Sequence, residues 1–132
     1  MCAAWHGGRQ SSGNTNNVSY VLRLTNRGVS IILGGDAEQM VWDSIVERYG
    51  ADLSCDILKA SQHGRDSGYH QEAMSLMRPT LTIVSVGKKP ETDASNKYLQ
   101  YSKYIRSTRW YRTMTLTIGD DRRIDFTPEY QR

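Results

Sequence analysis

Apolar and polar positions alternate along Ser19–Leu24: Tyr20, Leu22 and Leu24 fall on one side, Ser19, Val21 and Arg23 on the other. That two-residue period predicts a half-buried strand. Asn26-Arg27-Gly28 is a turn signal, and the β-branched run Val29–Leu33 follows, so the two segments are expected to pair as a hairpin. The period then lengthens. Ala37, Met40, Val41, Ser44, Ile45 and Tyr49 form one stripe of a helix that Gly50 stops. Asp56–Ala60 is a short strand. A second helix is expected from Ser67 or Gly68 through Arg78, with Ala73, Met74 and Met77 inward and Pro79 ending it. Thr80–Val86 has the composition of a central strand. A third helix, Ala94–Ser107, is expected to carry Tyr98, Leu99, Ser102 and Ile105 along one side. Thr113–Ile118 and Arg123–Phe126 close a last hairpin around Gly119-Asp120-Asp121. Residues 1–17, rich in Gly, Ser and Asn, have no period and are expected to be loop or tail. The order β-β-α-β-α-β-α-β-β implies a mixed sheet with helices, an α/β layer.

Composition narrows the classes. A chain of 132 residues, 38% hydrophobic and 23% charged, suits one globular domain. It has no apolar run near the ~20 residues a membrane helix needs and no signal-peptide pattern, which favours the cytoplasm and no membrane partner. Cys2 and Cys55 make no disulfide framework. Net charge is +3, with Lys97, Lys103, Arg106, Arg109 and Arg112 interleaved among Tyr98, Tyr101, Tyr104, Trp110 and Tyr111. Such a stretch can hold single-stranded nucleic acid, or it can be an amphipathic helix with solvated cations and buried tyrosines.

Two strand ends carry chemistry. Asp36 follows Gly34-Gly35, where the backbone can turn sharply and approach a ligand, at the carboxyl edge where α/β sheets place ligands. It could equally cap the helix that follows. His63 follows the strand Asp56–Ala60 and precedes Gly64. His70 and His6 have no partner at ligand spacing and are expected to be bystanders. A zinc site wants three or four ligands, which Asp36 and His63 do not supply alone.

Four segments resemble, in order, the metallo-β-lactamase fold in the form carried by the competence protein ComEC and its soluble relatives. They are Asn17-Val-Ser-Tyr-Val-Leu-Arg-Leu24, Ile32-Leu-Gly-Gly-Asp-Ala-Glu38, Asp56-Ile-Leu-Lys-Ala-Ser-Gln-His-Gly64 and Thr82-Ile-Val-Ser-Val-Gly-Lys88. The resemblance implies that Asp36 binds metal and that His63, matching the second His of His-His-Gly, lines the site or contacts a substrate phosphate. Gln62 stands where the first His usually is. Asp93, in Thr92-Asp93-Ala94-Ser95, stands where the family has a ligand-type His. Lys88 and Ser95 match positions near the substrate. The implied cofactor is a divalent metal, zinc or manganese.

The family's His-x-Asp-x-Asp-His cluster is missing. The chain is therefore expected to be the C-terminal half of the metallo-β-lactamase αββα sandwich. Residues 1–16 would form a flexible segment, 17–127 the half-domain and 128–132 a tail. One face of its sheet, carrying Tyr20, Leu22, Ile31 and Leu33 or their alternates, is expected to be covered by self-association or by an N-terminal half-domain. The leading expectation is part of a metal-dependent phosphodiesterase or nuclease, with Asp36 and His63 as catalytic residues and the isolated chain inactive, with or without a bound metal. The competing one is an incomplete remnant that acts as a protein-interaction or nucleic-acid-binding module.

Overall fold

Six strands join one sheet in the order in which they occur along the chain: β1 (Cys2–His6), β2 (Tyr20–Asn26), β3 (Val29–Leu33), β4 (Ile57–Lys59), β5 (Leu81–Val84) and β6 (Tyr104–Ser107). The computed structural model describes residues 2–6 and 15–131. β1, β2 and β3 are antiparallel, and β3 to β6 are parallel. Helices α1 (Gln39–Tyr49), α2 (Gln71–Met77) and the short α3 (Ser95–Tyr98) link the parallel strands. After β6 a four-residue α4 (Thr108–Tyr111) leads to a separate hairpin, β7 (Met114–Ile118) and β8 (Ile124–Pro128). The fold is α/β, with a mixed sheet.

Side-chain alternation divides the sheet into two faces. Trp5, Val21, Ile32, Leu58, Val84 and Ile105 join the buried cluster with Val41, Trp42 and Ile45 of α1, Ala73, Met74 and Met77 of α2, and Tyr98 of α3. Full burial of each large aliphatic side chain stabilises the fold by about 1.5–3 kcal/mol. The opposite face carries Val29, Ile57 and Leu81, also buried but outside that cluster. These three stand at the beginnings of β3, β4 and β5, beneath the β7–β8 hairpin.

The hairpin shows period-two burial: Met114, Leu116, Ile118, Ile124 and Phe126 are half-buried, while Thr115, Thr117, Asp125 and Thr127 are exposed. Its turn reaches the β2–β3 turn, where Arg27 pairs with Asp120 at 2.7 Å and the Arg122 side chain packs over Gly28. Its other end meets β6, with the Arg106 guanidinium over Phe126. Thus the hairpin crosses the lower half of this face. The upper half keeps Leu22, Leu33, Lys59 and Ile83 half-buried and Tyr20 60% exposed. Leu22 pairs with Leu33 and Leu24 with Ile31, so these residues share the face opposite the helices, and the chain's own hairpin covers half of it.

Four expectations change. Cys2–His6, read as loop, is an edge strand, anchored by Trp5 stacking on Tyr49 at 5.2 Å between ring centroids. Its small residues and the polar stretch beside it hide any period; the loop expected over 7–14, and the side chain of His6, lie outside the described residues. α2 begins at Gln71 rather than Ser67, because His70 is its N-cap: Nδ1 accepts from the Ala73 N–H at 3.1 Å, so Nε2 carries the proton and donates to Asp43 at 2.7 Å. His70 is therefore a structural tie between α1 and α2, not a bystander. The long third helix is instead α3, a turn and β6. Ser102 accepts from Thr82 Oγ1 at 2.9 Å and donates to the Tyr104 carbonyl at 2.8 Å, and Tyr104 N–H bonds to Thr80 O, so the chain enters the sheet. Tyr98 and Ile105 do share one core, from two different elements. Finally, the expected tail is tied back: Glu129 and Tyr130 donate backbone hydrogen bonds to Thr113 and Tyr111.

Candidate functional site

All four parallel strands release the chain at one edge: β3 into Gly34-Gly35-Asp36, β4 into Ala60–Gly64, β5 into Ser85–Gly87 and β6 into Thr108. Gly34 lets the first two loops touch, since a Cβ there would lie 2.8 Å from the Ser61 nitrogen. The loop after β4 is strained. Gln62 has φ 50° and His63 φ 55°, in the left-handed region that side chains disfavour by about 1–3 kcal/mol each. Gly64 follows at φ 77°, and a Cβ there would strike Val84 Cγ1 at 2.7 Å.

The surroundings over-determine that conformation. The Gln62 N–H bonds to Gly35 O at 3.0 Å. Its side-chain amide donates to Asp36 O at 3.0 Å and to Glu38 Oε1 at 2.9 Å. On the far side, Ala94 N–H bonds to Gly64 O at 2.9 Å. From the core, Trp42 Nε1 donates to Ser61 Oγ at 3.1 Å, and Ser61 Oγ donates to Gly68 O at 2.7 Å.

The product of this scaffold is an oriented imidazole. His63 Nδ1 lies 2.8 Å from Ser85 O. A carbonyl can only accept, so Nδ1 carries a proton and Nε2 is the ring nitrogen left for a ligand. His63 lines an open cleft of about 440 Å³ with Ser85, Val86, Gly87, Thr108, Arg109 and Arg112. The Thr108 hydroxyl is occupied structurally: it accepts from Val86 N–H at 2.8 Å and donates to Val86 O at 3.0 Å, clamping the β5 loop to β6. Arg109 lies over Trp110 at 4.6 Å and Arg112 over Tyr130 at 4.8 Å. Among the described residues neither arginine forms an ion pair, and the cleft has no acidic lining residue. Outside the lining, the exposed carboxyl of Glu129 is lowered chiefly by hydrogen bonds from Thr113 and lastly by Arg112. Two guanidinium forks beside an imidazole suit a phosphate or another oxyanion.

The other expected site residues lie around this cleft rather than in it. Asp36 is exposed and is not the helix cap, since Glu38 holds that position without a side-chain cap bond. Its N–H bonds to Ser19 Oγ at 3.1 Å, and its carboxylate favours the charged form of Lys59, whose pKa burial nonetheless lowers. Asp93 is half-buried, bridged through its backbone to Arg65, and accepts from Ser95 Oγ at 2.8 Å, which commits Ser95 to that bond. Lys88 is exposed beyond Gly87. Asp36 flanks the start of the β4 loop and Asp93 its end.

Among the described residues, no three of His, Cys, Asp and Glu gather as a metal-holding group. The donors present do not fit a complete divalent-metal site of three or four ligands. Arg109 and Arg112 were visible in the sequence as charges of a basic-aromatic stretch, but the helix expected over Ala94–Ser107 hid the strand that brings them to His63. The signal for the cleft was their position just beyond Ile105-Arg106-Ser107-Thr108, a segment fit to be a strand. No family model matches the chain, and no curated protein matches it. Among the described residues, no helix is long and apolar enough to cross a membrane.

Proposed function

We propose that this chain is the phosphodiester-recognising part of a ComEC-like hydrolase of the metallo-β-lactamase type, and that on its own it binds its substrate without cleaving it. The basic cleft carries this reading: His63 with a free Nε2, flanked by Arg109 and Arg112, at the carboxyl edge of four parallel strands. Asp36 and Asp93 stand nearby as the carboxylates the resemblance assigns to metal, and further ligands would have to come from outside this set. Tyr130, 56% exposed and lying under Arg112, suits a nucleic-acid strand, whose phosphates would meet the arginines. Two free thiols, Cys2 and Cys55, support a cytoplasmic setting.

Titration with a short oligonucleotide, followed by fluorescence anisotropy, tests the reading. Binding should weaken as salt rises, in the manner of phosphate contacts. Arg109→Ala should weaken it roughly 10-fold, within the range for a charge-assisted hydrogen bond. Salt-independent binding, or binding indifferent to both Arg109→Ala and His63→Ala, would remove the proposal.

A second reading has its own support. The upper half of the open face, with Tyr20 60% exposed beside Leu22, Leu33 and Ile83, suits a protein partner such as a second copy of the chain or an N-terminal half-domain. Light scattering distinguishes them: a concentration-dependent mass reports self-association, and Tyr20→Glu should abolish it.

A further inference from the structure

Between the hairpin and the sheet lies a cavity of about 190 Å³, at the opposite end of β5 from the basic cleft. Leu81, Ile124 and Phe126 supply apolar walls, and Thr80, Tyr104 and Arg106 complete the lining. An apolar cavity of about 150 Å³ is enough to hold a benzene molecule. This one therefore has room for a single six-membered ring bearing a small substituent.

Arg106 decides what that substituent is. Its guanidinium is half-buried among aromatic faces, 5.2 Å from the Tyr104 centroid, 5.9 Å from Tyr111 and 5.7 Å from Phe126. Its one hydrogen bond runs from Nη1 to Ile105 O at 2.9 Å. Among the described residues no carboxylate pairs with it. A permanently charged fork in apolar surroundings, with donors left over, favours a planar anion. Inorganic phosphate fits poorly, because the walls made by Leu81, Ile124 and Phe126 offer it no donor.

We infer that the cavity under the hairpin is a binding site for a small aromatic carboxylate, with its ring against Leu81, Ile124 and Phe126 and its carboxylate on the Arg106 guanidinium. The site is independent of the basic cleft and of the function proposed for it. It places a ligand between β5, β6 and the hairpin, so occupancy stabilises the hairpin's seat on the sheet.

The probe is benzoate, titrated into the full chain and followed by methyl and aromatic NMR, with benzyl alcohol as the neutral comparison. Saturable shifts are expected at Leu81, Ile124 and Phe126, with a Kd on the order of 1 mM for so small a ligand. Benzyl alcohol should bind roughly 10- to 100-fold more weakly, as loss of a charge-assisted hydrogen bond implies. Arg106→Gln should remove that preference while leaving benzyl alcohol unaffected. Ile124→Trp should fill the space and abolish both signals; if it unseats the hairpin, Arg106→Gln still decides. The inference is overturned by absence of saturation up to about 10 mM, ten times the expected Kd, by equal affinity for the two probes, or by shifts confined to His63 and Val86 of the basic cleft.

Discussion

The two ends of the parallel strands are built on opposite terms. Where the strands begin, Val29, Ile57 and Leu81 are buried under a hairpin whose inward positions are all apolar. Where they end, the chain holds Gln62 and His63 in left-handed backbone and leaves two arginines without ion pairs, among the described residues. The first end gains stability from ordinary packing. The second spends some of it to aim one imidazole. Strain held in place by many hydrogen bonds is typical of a site whose geometry matters more than its local energy.

The sharpest way to break this contrast is at the sealed end. Ile57→Ala should cost about 2–5 kcal/mol by denaturant unfolding, the usual range for emptying a buried aliphatic site, yet leave oligonucleotide affinity of the folded protein unchanged. Next comes the strut between the ends: Ser61→Ala removes the partner of Trp42 Nε1 and one donor to Gly68 O, and should cost about 1–3 kcal/mol. At the strained end the sign reverses. His63→Gly should stabilise the fold by about 1 kcal/mol through relief of positive φ, while binding is lost. If His63→Gly destabilises, the strain argument fails.

The smallest effect lies in the alkaline pH profile. Burial first, and Asp56 second, push the Cys55 thiol up to about 12 from 9.0. A raised folded-state value means its contribution is fully present below pH 9.0 and is lost as pH climbs toward about 12. Buried Tyr98 is shifted upward too and pulls the same way. Lys59 opposes them: burial lowers its pKa, so holding it charged costs stability at neutral pH, and that cost fades as pH rises toward 10.5. Melting of Cys55→Ala between pH 9 and 11 should show a shallower decline than the parent. Lys59→Met should melt higher at pH 7, with the difference shrinking by pH 10.5.

The pattern of side chains made most elements legible for concrete reasons. β2 and β3 announce themselves through a turn signal and a shared apolar face, α1 through a stripe ended by Gly50, and β5 through its β-branched composition. The 97–112 stretch misled because Tyr98 and Ile105, seven residues apart, fit a helical stripe as well as two elements packing on one core. Only tertiary hydrogen bonds, Thr82 to Ser102 and Tyr104 to Thr80, choose between them. The cleft inherited that ambiguity, since Arg109 and Arg112 reach His63 only if β6 is a strand. Asp36 and His63 were legible as strand-end residues, but the turning of His63 toward β5 depends on a backbone twist that no side-chain pattern encodes.

Because neighbouring strands in the sheet are also neighbours in sequence, the architecture can assemble vectorially, each new strand zipping onto the growing edge as it leaves the ribosome. Each parallel pairing still has to close a long crossover, and that slows folding. The hairpin follows the six strands, like a lid screwed on after filling, so a chain cut before Met114 would already possess every strand of the larger sheet while leaving Val29, Ile57 and Leu81 uncovered by it.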